Sequence, residues 1–208
     1  RESGEAPVRR LERLVSSGRV LSIIAMNAVG FPLVAHDMIA RQRIRLFVFG
    51  TDHPCHLYPL MEIAPAGTTL SFPSASNLNC CRGWGLDHFD FLHIAHGAEP
   101  RTPIAWADRS LPFLLVGNLH KSSTQLRAAW TTRGPEIPVL EAMAEMIETD
   151  GALTLENLCL HALAATGNSD GPLSAPRAIA KIMRYFDPYA RALMREGILQ
   201  ELAGLPLT

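Results

Sequence analysis

A change of hydrophobic period part-way along the chain constrains its fold more than any other feature. In the first half, apolar residues come in short, nearly continuous runs: Arg19–Val29 (RVLSIIAMNAV), Arg43–Gly50 (RIRLFVFG), Gly67–Phe72, Phe89–Ala95 (FDFLHIA) and Leu111–Gly117 (LPFLLVG). Runs of this length, rich in β-branched and aromatic residues, suit strands buried on both faces, as in a parallel sheet under helices. Between them, Val8–Ser17 and Phe31–Gln42 carry helical spacing, and Val8, Leu11, Leu14 and Val15 fall on one helix face. From Pro135 onward the period is mostly 3.6. Val139, Leu140, Met143, Met146 and Ile147 make one stripe, and Leu155, Leu158, Cys159, Ala162 and Leu163 a second. A third starts at Ile179, Ile182, Met183 and Phe186 and continues through Tyr189, Leu193, Ile198, Leu199 and Leu202. Gly167–Pro176 (GNSDGPLSAP) reads as a loop. The expected class is α/β, a Rossmann-like open parallel sheet in the first half followed by a largely helical second half. A boundary between the α/β half and the helical half is most natural near residues 118–135.

Charge narrows the partners. Nineteen Lys+Arg stand against twenty Asp+Glu among 208 residues, a net charge of -1, and no block of like charges reaches five. Neither a general nucleic-acid groove nor a basic membrane-surface helix is expected. The longest apolar runs fall well short of the roughly 18 residues that a spanning helix needs. Hydrophobic residues make up 48% and charged residues 19%, so a core can be built. The four cysteines, Cys55, Cys80, Cys81 and Cys159, show no CxxC spacing, and the chain opens at Arg1 without a signal-like segment. A cytoplasmic protein with reduced thiols is the expectation.

The polar residues that look chosen follow predicted strands. They are Thr51-Asp52-His53-Pro54-Cys55-His56, His96-Gly97-Ala98-Glu99-Pro100, and Gly117-Asn118-Leu119-His120-Lys121. In a parallel sheet the carboxyl ends of the strands share one edge, and ligands bind there. His53, His56 and His96 are therefore pocket candidates. A metal is not expected, because Asp52–His56 matches no zinc signature, although six of the eight histidines lie between residues 36 and 96. Cys55 lies between two histidines in the chain, but neighbours on an extended strand point opposite ways, so it makes a poor nucleophile. Gly83-Trp84-Gly85 is only GxG, which disfavours an ATPase or an NAD dehydrogenase. Lys121-Ser122-Ser123 offers either a phosphate contact at a helix start or simple serine capping. Trp84, Trp106 and Trp130 are expected to pack.

The order of these motifs resembles that of bacterial glycosyltransferase-like proteins of the GT-B architecture, similar to the spore-maturation type. The matching stretches are Phe47–His56 with its DHP, Leu92–Pro100 with its HG, and Pro112–Leu119 with its GN. The resemblance implies a Rossmann-like domain over residues 1–110, with 111–208 opening a second domain that is one strand and then mostly helical. It implies sugar transfer from a nucleotide-sugar to an acceptor, with no obligatory cofactor. His53 or His96 would take a hydroxyl proton, with Asp52 orienting or replacing it. His56, Gly97, Glu99, Gly117, Asn118 and Lys121 would bind substrate. The family's later Glu-bearing helix has no counterpart before Thr208, so the expectation is a partial or inactive member. Two other readings stand beside it. One is a noncatalytic α/β subunit that binds a protein partner, or a second copy, through its helical half, where Met143, Met146, Met183 and Met194 lie. The other is a His-based metal-dependent enzyme that uses the Asp52–His56 loop.

Overall fold

A computed structural model describes residues 5–27, 38–94, 121–149, 151 and 153–203. The chain divides into two compact units, Arg1–His96 and Gly97–Thr208. The boundary expected at residues 110/111 and the apolar run Leu111–Gly117 lie outside the described residues.

The first unit is α/β. Helix α1 (Glu5–Ser16) leads into strand β1 (Ser22–Met26), and β2 (Arg45–Phe49) is followed by α2 (Pro54–Met61). Then come β3 (Thr69–Phe72), α3 (Ala75–Gly83) and β4 (Asp90–His93). Each strand falls inside an apolar run of the sequence but is shorter than its run. On α1, Val15 is buried whereas Leu14 is exposed, so the face expected to bury both is narrower than its spacing implied.

The four strands pair in parallel in the order β1-β2-β3-β4. The sheet is Rossmann-like in being open and parallel and in having helices in its connections. It differs from a doubly wound sheet because its described strands run in sequence order, with no reversal and hence no switch point. The register explains the core. Val48 aligns with Leu70, which aligns with Phe91, so the three share one face. Helix α2 lays Leu57, Leu60 and Met61 against Leu46, Val48 and Leu70 of that face. The Arg82 guanidinium of α3 sits 5.0 Å over the Phe91 ring. Removing each large aliphatic side chain here from water contributes about 1.5–3 kcal/mol. Gly50 ends β2 because nothing larger fits: a Cβ there would lie 2.2 Å from the buried Phe72 ring.

The second unit is helical: α4 (Ser123–Ala128), α5 (Ile137–Thr149), α6 (Leu155–Ala165) and α7 (Pro176–Ala203). The first two stripes and the start of the third face its core, with Val139, Leu140, Met143, Leu158, Cys159, Ala162, Leu163, Ile182, Met183 and Phe186 all buried, whereas Ile198 and Leu199, in the continuation of the third, are exposed. Trp130 joins them, stacked 5.9 Å from Phe186 and edge-on 5.1 Å from Tyr189. Helix α6 starts at an N-cap threonine, Thr154, which accepts from the Asn157 amide. It stops at Gly167 (φ 70°), where the Asn168 amide reaches back to the Leu163 carbonyl at 2.7 Å, a glycine-assisted helix end.

Candidate functional site

The chain direction of a parallel sheet sends every βα turn to the carboxyl edge. The starts of α2 and α3 and the ends of β1 and β4 therefore gather there. Asn27, the first residue past β1, organises this edge. It holds a positive φ of 49°, which asparagine adopts more readily than most residues. Its Nδ2 donates to Thr51 Oγ1 at 2.7 Å and to Asp52 Oδ2 at 3.0 Å, and its Oδ1 accepts from the Thr51 amide at 2.6 Å. The end of β1 is thus bonded to the loop after β2, and the Asp52 carboxylate is held at the surface in one orientation. At the far side, His93 Nε2 donates to the Pro73 carbonyl at 3.0 Å and ties β4 to the start of α3.

His53 has a role that its spacing did not reveal. It is the N-cap of α2, and its Nδ1 accepts from the Cys55 amide at 3.2 Å. A neutral imidazole with Nδ1 as acceptor carries its proton on Nε2. In this arrangement His53 presents a donor, and the lone pair that a metal or a hydroxyl proton would need at Nδ1 is already engaged. His56 stands on the first turn of α2, half-buried, and Cys55 is buried. Helix α3 starts differently. Its N-cap Ser74 makes no capping bond, and its hydroxyl pairs with that of Ser76 at 2.6 Å. The first-turn amides of α3 thus meet no side-chain cap at the same edge, where the helix dipole favours an anion.

Asp52 and His53 are therefore adjacent on this edge. His96, Gly97, Glu99, Gly117 and Asn118 lie outside the described residues. Lys121 is exposed just before α4. The helix start after it is already satisfied. Ser122 and Gln125 form a capping box, and the Glu196 carboxylate of α7 accepts from the Ser123 amide at 2.8 Å and its hydroxyl at 2.5 Å. These bonds hold the Glu196 carboxyl below the usual carboxylate range, the Ser123 hydroxyl acting most strongly and its amide next. Of the two readings of Lys121-Ser122-Ser123, capping is the one this geometry shows.

The sequence also contains one GxSxG string, Gly167-Asn168-Ser169-Asp170-Gly171, read above only as loop. It follows helix α6 rather than a strand, so it is not the strand-to-helix elbow of a serine hydrolase. Asn27 and Ser74 were missed as site residues. Asn27 lay inside an apolar run, and its one signal was a turn-forming residue at the end of that run. Trp84 and Trp130 are buried, as packing residues should be.

The helical unit carries a pocket of about 370 Å³ lined by Ile147, Leu153, Leu155, Leu158, Leu193 and Met194, with Asp187 among its walls. Of the methionines expected to face a partner, Met143 and Met183 are fully buried and belong to the core, while Met194 is 64% exposed. None of the described helices is long and apolar enough to cross a membrane. Compared with protein-family models, curated proteins and solved structures, the chain matches none.

Proposed function

We propose that the chain binds a nucleotide-sugar at the carboxyl edge of its parallel sheet and belongs, in function, with glycosyltransferase-like proteins. The observation that carries this reading is the Asn27–Thr51–Asp52 network beside the uncapped start of α3. An oriented surface carboxylate accepts hydrogen bonds from sugar or ribose hydroxyls, and helix-start amides donate to a diphosphate. His53, with its proton on Nε2, is a hydrogen-bond donor to the same ligand. It serves as a base only if the α2 cap opens, so Asp52 is the better-placed acceptor of a hydroxyl proton.

A thermal-shift panel of uridine and guanosine diphosphates and their sugars tests the reading. A ligand that binds only the folded state raises the melting temperature by mass action. A shift with a nucleotide-sugar that Asp52→Ala and Asn27→Ala abolish supports it, and a flat panel overturns it. A second reading, partner binding through the helical unit, is favoured by the pocket around Met194. In that case Met194→Glu abolishes capture of the partner and leaves the melting temperature within about 1–2 °C, as surface substitutions do.

A further inference from the structure

We propose that the helical unit holds a binding site for a terminal phosphate, built from Arg133, Lys181 and Arg184 around the ring of Tyr185. Lys181, Arg184 and Tyr185 are spaced i, i+3 and i+4 on α7, so they share one helix face. Arg133 comes from the turn before α5, whose path is set by Gly134 (φ 68°) and Pro135. Its guanidinium carbon lies 4.0 Å from the centre of the Tyr185 ring. Lys181 Nζ lies 5.8 Å and the Arg184 guanidinium carbon 5.9 Å from the same centre. These separations are shorter than the Debye length of about 8 Å at physiological salt, so an anion at this ring feels all three charges.

The fold leaves most of that charge uncompensated. One carboxylate belongs to the group: the buried Glu136, which pairs with Lys181 and is matched by it. Among the described residues, Arg133 and Arg184 have neither an ion pair nor a side-chain hydrogen bond. Attraction to the ring holds their charge but supplies no acceptor oxygen, so their N–H donors remain to grip an oxyanion in pairs. Two uncompensated cations match a dianion. A terminal phosphate carries about -1.5 to -2 near neutral pH, whereas a carboxylate or a phosphate diester carries a single charge. A nucleotide-sugar has no terminal phosphate, so this site is separate from the sheet edge, and failure of either reading leaves the other standing.

The experiment is isothermal titration of the full chain, at constant ionic strength, with inorganic phosphate, phenyl phosphate and dimethyl phosphate. Saturable binding of the first two is expected, with the diester about tenfold weaker or more. Arg133→Gln and Arg184→Gln should each weaken phosphate binding about tenfold, the loss expected for one charge-assisted contact. Arg10→Gln, which removes an exposed charge from α1, should leave it unchanged. Circular dichroism checks that each variant is folded. If Arg133→Gln unfolds, Arg184→Gln carries the comparison alone. Tighter binding of phenyl phosphate identifies an ester as the ligand, and tighter binding of inorganic phosphate identifies the free ion; either supports the proposal. No saturable binding at millimolar phosphate would overturn it. So would equal affinity for the diester, or equal weakening by Arg10→Gln, which would reveal diffuse charge attraction.

Discussion

The two units use their polar side chains in opposite ways. In the helical unit they bond to one another. Arg127 bridges Glu141 and Glu148, the Tyr189 hydroxyl donates to Glu148 at 2.7 Å, Lys181 pairs with the buried Glu136, and Glu196 closes the start of α4. In the α/β unit the Asn27–Thr51–Asp52 group is bonded internally yet stays at the surface, and one helix start has no side-chain cap. Strand β1 also leaves Ile24 73% and Met26 56% exposed among the described residues. The difference teaches where ligand chemistry is available: a polar group already bonded within the fold is costly to redirect, while a strand-end group is held for use.

The strongest way to break the comparison is to remove the core of the helical unit. Phe186 is fully buried against Trp130 and Tyr189, so Phe186→Ala should cost about 3–5 kcal/mol in denaturant unfolding. Leu21→Ala, at a residue 85% exposed, should stay within about 0.5 kcal/mol. Next is Gly50→Ala, which drives a methyl group into the Phe72 ring and should cost about 1–3 kcal/mol by the same measurement. Third is Lys181→Met. It leaves the Glu136 carboxylate buried without its cation, and because Lys181 is partly exposed the loss should be about 1–3 kcal/mol.

Alkaline pH sharpens the contrast less strongly. The Tyr189 hydroxyl is pushed from 10.0 up to about 12 by burial first and by the Glu148 bond next. Above pH 10 the unfolded chain releases this proton while the folded chain keeps it. Stability should therefore fall as pH rises from about 10 to 12, and Tyr189→Phe should flatten that part of a melting-temperature profile. The smallest effect belongs to Glu196. Its carboxyl is lowered by Ser123, so its contribution is present above the ordinary carboxylate range and is lost as pH falls through the folded value. Glu196→Gln should remove that acid-side slope.

The strands and helices were legible because their burial leaves a period in the sequence. Val48, Leu70 and Phe91 read as strand residues, and Leu158, Cys159 and Ala162 as one helix face. Strand order was not legible, since a run of apolar residues says nothing about which neighbour it pairs with. The carboxyl edge was legible in part: Asp52 and His53 stood out as polar residues after an apolar run. Asn27 did not, because its importance comes from a backbone turn that joins two strands 24 residues apart. The capping role of His53 arises from the backbone turn into α2, which spacing along one loop cannot show. His96, Gly97, Glu99, Gly117 and Asn118 lie outside the described residues.

The central claim is that nucleotide-sugar chemistry belongs to the α/β unit. Amide hydrogen exchange of the full chain, with and without a uridine diphosphate sugar, tests it most directly. The account predicts slower exchange at residues 51–56 and at the first turn of α3, with residues 121–203 unchanged. Protection confined to the helical unit, or none anywhere at saturating ligand, would contradict it.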